Sequence, residues 1–171
     1  MITTILKRMA WVLVLLLVQV LVLDQVHPWG YGAPLLCPLV VITLPMGISR
    51  SEALLWGFCT GLVADIFAGT AGISSAALTL IAFLQPPLLG LMAPRDSEEE
   101  LHPSFSAMGR WNYLRFICFL LLLHHIVYFA LEGFSYFLIT DTLISMCVSY
   151  AASLLLIVLV ENILDNKEVR G

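Results

Sequence analysis

Trp56-Gly57-Phe58-Cys59-Thr60-Gly61-Leu62-Val63-Ala64-Asp65-Ile66-Phe67-Ala68-Gly69 is a run of apolar and small residues interrupted by a single charge. Gly57, Gly61, Asp65 and Gly69 recur every fourth residue, and residues four apart share one face of a helix. Glycines at that spacing let another helix approach closely, as in small-xxx-small packing within membranes. The approaching helix could belong to this chain or to a partner, and both uses stay open at this level. An ionisable group inside a span costs about 2.5–3.5 kcal/mol on insertion scales and normally faces the bundle interior with a partner. Asp65 is therefore expected to bond the Gly69-Thr70-Ala71-Gly72 turn or a neighbouring helix, with a ligand or proton role as the alternative.

Outward from this run the pattern repeats. Apolar stretches with almost no interior charge fall at Met9–Leu23, Ala33–Ile48, Ala53–Ala68, Ile73–Ala93, Tyr113–Leu131 and Thr142–Ile163. The chain of 171 residues is 60% hydrophobic and 12% charged, against roughly 45–50% and ~25% in soluble domains, and its mean hydropathy is +0.97. A water-soluble fold is excluded on these grounds. The runs are continuously apolar instead of alternating with period two, which disfavours a β-barrel. The expectation is an all-α membrane protein, one compact bundle of about six transmembrane helices over residues 1–171. Several runs fall short of the ~20 residues a ~30 Å hydrocarbon core requires, so tilt or local thinning is expected.

Threading six spans from an inside start puts Lys7, Arg8, Arg50, Arg95, Arg110, Arg115, Lys167 and Arg170, all eight cationic residues, on the cytoplasmic side. The outer connections hold Asp24, Glu132 and Asp141 instead, as the positive-inside bias requires, and both termini are expected in the cytoplasm. Trp29 and Tyr31 outside, with Trp56 and Trp111 inside, fall where amphipathic rings settle at the headgroup level. The net charge of −4 comes from a few short stretches, and no basic groove for nucleic acid can be built. Leu23-Asp24-Gln25-Val26 offers no small-x-small cleavage site, so the first span reads as a retained helix. Cys37, Cys59, Cys118 and Cys147 are isolated in apolar runs and read as buried small hydrophobes, with no disulfide framework and no zinc site.

The fifth run carries His124-His125 and ends at Glu132. His125, Phe129 and Glu132 share a face, and His124 points about 100° away. Adjacent histidines on a straight helix cannot both face one metal, and the H-x-x-x-H spacing of helical zinc sites is absent, so neither metal nor cofactor is expected. A polar network joining Asp65, His124, His125 and Glu132 across spans is the favoured reading. Pro34, Pro38 and Pro45 in the second run and Pro86-Pro87 in the fourth remove backbone donors, and these breaks are expected to be repaired by neighbouring helices or to build a midplane site. Asp96-Ser97-Glu98-Glu99-Glu100 reads as a capped helix start in a cytoplasmic loop, a solvated surface turn with docking of a cytoplasmic partner as the alternative.

The combination of Gly57-Phe58 through Gly61-Leu62, Asp65 to Gly72, Ala82-Phe83-Leu84-Gln85-Pro86, His124-His125 and Glu132-Gly133-Phe134-Ser135 resembles the rod shape-determining MreD family, in particular its Bacteroidetes-like branch. The likeness runs over essentially the whole chain, in length, span number and orientation. Gln85 departs from it, since that branch often has Arg before the proline. The resemblance implies a multi-pass protein of the bacterial inner membrane and a fold similar to the substrate-binding subunits of energy-coupling-factor transporters. It further implies a non-enzymatic scaffold that binds MreC and connects indirectly to MreB, RodA and a class B penicillin-binding protein, with Gly57, Gly61, Asp65, Gly69 and Gly72 as packing or partner-binding positions.

Two other classes compete with the scaffold. In a vitamin-binding transporter subunit, Asp65 and the proline-broken helices would line the site. An intramembrane aspartyl hydrolase would need two carboxylates with pKa values pushed apart on one bond, and Asp24, Asp65 and Asp141 lack the motifs of such enzymes.

Overall fold

In the computed structural model the described residues, 2–25, 32–70, 72–93, 102–133 and 139–168, are helical with no strand among them. They form α1 (Ile2–Leu21), a 3-10 turn (Leu23–Gln25), α2 (Pro38–Ile42), α3 (Arg50–Ala68), α4 (Ile73–Met92), α5 (Phe105–Met108), α6 (Arg110–Gly133) and α7 (Ile139–Glu168). Trp29, Tyr31, Ala71, Arg95, the acidic stretch Asp96–Glu100, Phe134, Ser135 and Arg170 lie outside the described residues, as do the side chains of Lys7, Asp24 and Lys167.

Among the described residues four helices are long and apolar enough to cross a membrane: α3, α4, α6 and most of α7 (Thr140–Asp165), with Arg8–Leu21 of α1 a shorter apolar stretch. The 20 residues of α4 rise about 30 Å, one hydrocarbon core. Their outward surfaces carry large apolar side chains such as Leu55, Ile66, Phe67, Phe83 and Phe119.

Two expectations need correction. The second run is no continuous helix: α2 spans only Pro38–Ile42, and residues 32–36 and 44–45 have no regular structure. Pro38 starts α2 in its first turn, where a missing N–H costs nothing, while Pro34 and Pro45, which disfavour helical continuation, lie in the irregular segments on either side of it. The Pro86-Pro87 pair, by contrast, lies inside an uninterrupted α4. Two lost donors leave the remaining ladder of that long helix in place, as neighbouring groups in a bundle allow.

The connection from α1 to α3 runs the depth of the bundle. Arg8 of α1 pairs with Glu52 of α3 at 3.4 Å and lies 5.6 Å above the Trp56 ring, so α1 and α3 start at the same end. Tyr113 near the start of α6 donates to Glu161 near the end of α7 at 2.8 Å, and Ser106 of α5 bonds Asp165. His124 and Tyr128, late in α6, border one cavity with Gln19 of α1, Ala64 and Ala68 of α3, and Ser74 of α4. The starts of α1, α3 and α6 thus gather at one end, with Arg8, Arg50, Arg110 and Arg115.

The core surrounds α2, whose Leu39, Val41 and Ile42 have no exposed surface. Leu78, Ile81, Tyr113, Phe116, Ile117, Leu120 and Leu121 close around it. Irregular backbone at membrane depth is tolerated only where protein buries it, and α2 meets that condition. Cys59 and Cys147 are exposed, against the expectation of buried cysteines, because they fall on the outward stripes of α3 and α7.

Candidate functional site

α3 begins at a local signal: Ser49 caps it, its hydroxyl accepting the Glu52 N–H at 3.2 Å, the donor-satisfying half of an S-x-x-E capping pattern. It ends at Gly69, whose φ of +68° is a left-handed C-cap. Gly72 precedes α4 at φ +84°. A Cβ on either glycine would meet nothing within 4 Å. Gly69 and Gly72 are therefore turn residues with special backbone angles, not packing positions, which corrects their grouping with Gly57 and Gly61.

Gly57 and Gly61 are buried against α4. A Cβ on Gly57 would lie 2.8 Å from the Leu78 carbonyl oxygen and 2.8 Å from Ala82 Cβ, and one on Gly61 would lie 2.4 Å from Ser75 Cα and 2.6 Å from Ser75 N. Of the two uses left open for this face, the structure occupies it with the chain's own helix, so a partner cannot dock there.

Asp65 completes the same interface. It is 3% exposed, and its two oxygens accept four hydrogen bonds. Oδ1 receives Thr70 Oγ1–H (2.5 Å) and Ser74 N–H (2.8 Å), and Oδ2 receives Ser75 N–H (2.9 Å) and Ser75 Oγ–H (2.5 Å). Its carbonyl also accepts the Thr70 N–H at 3.0 Å. Ser74 and Ser75 lie in the first turn of α4, where backbone donors lack helical partners and favour a negative charge. Asp65 is thus a remote cap for α4 that closes the turn.

The expected network of Asp65, His124, His125 and Glu132 is not formed. Among the described residues the hydrogen bonds of Asp65 stay within the hairpin. His125 has no exposed surface; its Nδ1–H donates to the Leu121 carbonyl at 2.9 Å, and Nε2 lies 3.3 Å from Ser153 Oγ and 3.4 Å from Ser149 Oγ. Its ring stacks on Phe129, with centroids 6.2 Å apart. His124 points elsewhere, along Tyr128. Glu132 is half-buried at the end of α6, and no hydrogen bond joins it to either histidine among the described residues. The reason is geometric: Asp65 has no lone pair left for a distant donor once four local ones are served.

The network that does form lies elsewhere, around the irregular backbone before and after α2. Gln19 donates to Pro34 O (3.2 Å) and accepts from Leu36 N–H (2.6 Å). Ser153 accepts from Leu35 N–H (2.7 Å), and Ser149 donates to Ala33 O (2.5 Å). On the far side, Gln85 donates to Leu44 O at 2.9 Å. Gln19, Ser149 and Ser153 were not part of the polar network expected from the sequence, whose members are all ionisable. The signal was present: Gln19 is the one amide in its run, and Ser149 and Ser153 are four apart on one face.

Chemically, these groups hold backbone rather than substrate. Among the described residues no group of three His, Cys, Asp or Glu side chains could hold a metal ion. The α3–α4 hairpin presents one further feature outward, an apolar groove of about 650 Å³ lined by Leu54, Phe58, Leu62, Ala76, Thr79 and Phe83. Comparison with protein-family models, with curated proteins and with solved structures gives no match to this chain.

Proposed function

We propose that this chain is a non-enzymatic integral scaffold of the bacterial cell-elongation complex, binding the membrane helix of MreC and so supporting peptidoglycan synthesis and cell shape. MreB, RodA and a class B penicillin-binding protein are reached indirectly, and nucleic acid has no part. The observation that carries the reading is the contrast between a filled interior and an open groove. Asp65 on α3, and Gln19, Gln85, Ser149 and Ser153 around α2, bond groups of the chain itself, while the groove between Phe58 and Phe83 has small residues, Ala76 and Thr79, in its lining. Helices associate in membranes by close approach over such small residues. The MreC part of the reading rests on the family resemblance.

The proposal includes six crossings, with the segment 32–49 as a broken second crossing, and both termini on the cytoplasmic side of the inner membrane. Its support is the gathering of Arg8, Arg50, Arg110 and Arg115 at one end of the bundle, as the positive-inside bias requires. The transporter reading is less well served. Drug-sized ligands occupy pockets of roughly 300–1,000 Å³ that bury most of their surface, whereas the cavity beside His124 measures about 30 Å³ and the 650 Å³ groove lies open on the outer face of the α3–α4 hairpin.

Affinity purification of the tagged chain from its native membrane tests the proposal. MreC is expected to co-purify, and Ala76→Phe, which fills the outward groove, should reduce its recovery at unchanged expression. A chain that never retains MreC, or one stabilised by a vitamin at micromolar concentration, would overturn it.

A further inference from the structure

Of the two adjacent histidines, one has its hydrogen bonds and the other does not. His124 is 2% exposed, and neither ring nitrogen has a hydrogen-bond partner among the described residues. A neutral imidazole carries one donor and one acceptor. Leaving such a group buried and unpaired is costly, which is why buried polar groups in folded proteins are nearly always satisfied by protein or by ordered water.

The surroundings favour the second. His124 borders a cavity of about 30 Å³ where α1, α3, α4 and α6 meet, together with Gln19, Cys37, Ala64, Ser74 and Tyr128. One water needs roughly 10–15 Å³ and two to four polar partners. The space is therefore sufficient for water and too small for an organic metabolite. Ser74, whose backbone N–H is fixed on Asp65, lies on the same wall. A purely apolar cavity of this size would stay dry, but this one is lined by polar residues, His124, Ser74, Gln19 and Tyr128 among them.

We propose that the cavity is an internal water site, in which one or two waters bridge the His124 ring to the Ser74 hydroxyl. Hydration distinguishes the two histidines: the His124 ring exchanges protons with water, while the His125 ring is held by Leu121, Ser149 and Ser153. The site also joins the α6 histidine to the Asp65 hairpin through solvent, the connection that direct side-chain contact does not make.

Nuclear magnetic resonance of the full chain with 15N-labelled histidine, in detergent or bilayer, tests this. Magnetisation is expected to pass from water to the His124 ring at least several-fold faster than to the His125 ring, and Ala64→Val, which narrows the cavity, should abolish the difference. Should that variant not fold, the wild-type comparison decides alone. Equal transfer to both rings, or a His124 ring bonded on both nitrogens to protein groups, would overturn the proposal.

Discussion

The α3–α4 hairpin and the broken segment around α2 face one difficulty, backbone amides without helical partners deep in an apolar bundle, and meet it over different lengths of chain. In the hairpin a single carboxylate serves donors 5, 9 and 10 residues away. Around α2 the partners lie 15, 17, 41, 116 and 118 residues away, on α1, α4 and α7. The hairpin is held by itself. The broken segment is held by most of the molecule, so damage to it should spread.

Removing the carboxylate tests the first half of that contrast most severely. Asp65→Leu leaves the Ser74 and Ser75 N–H groups buried and unpaired, at about 1–3 kcal/mol each. Asp65→Asn should cost less, yet still a substantial part, because one acceptor oxygen becomes an NH2 that faces donors in either orientation. Thermal melting in detergent should rank wild type above Asn above Leu, and hydrogen exchange should rise over residues 65–79 while α7 stays protected. Loosening of α7 as well would break the distinction.

Next comes Gly61→Leu, whose first carbon would already press on the Ser75 backbone. Forcing α3 from α4 should cost about 3 kcal/mol or more, at the upper end of overpacking effects. Lost stability in the isolated protein is the expected reading; a stable variant would show that the helices separate freely.

Ser153→Ala tests the second half. It strips Leu35 N–H of its acceptor, at about 1–3 kcal/mol, and exchange should rise both near residue 35 and along α7. A response confined to residues 33–36 would show that the segment is held locally after all. The smallest effect is expected for Gly69→Ala, about 1–2 kcal/mol from the left-handed backbone alone, since its Cβ meets no atom. A larger loss of melting temperature would point to a contact that the open surroundings of Gly69 do not suggest.

The contrast also explains what the sequence made legible. Asp65 could be read from the rarity of a charge in a glycine-spaced run, and its turn is written within the next ten residues. The prolines at 34, 38 and 45 announced a disturbed second apolar run but not its form, because whether a proline-bearing run stays helical depends on partners that lie far away in sequence. Pro86-Pro87 shows the converse: the same residue type in a longer helix leaves α4 unbroken. The His124-His125 pair was legible as two directions on a helix. Assigning Asp65 as their partner failed because nearer donors had already filled the carboxylate, which spacing alone does not reveal.

The distance between Leu35 and Ser153 has a consequence for how the molecule is made. At about 5–20 residues per second of synthesis, the 118 residues between them take roughly 6–24 s to follow. For that interval the segment before α2 has been made while the serines that will hold its backbone are still untranslated. The insertion machinery, or water, must shelter those amides until the last helix arrives, so a ribosome stalled before α7 would leave the early half of the chain exposed to quality-control proteases although every residue of it had been made.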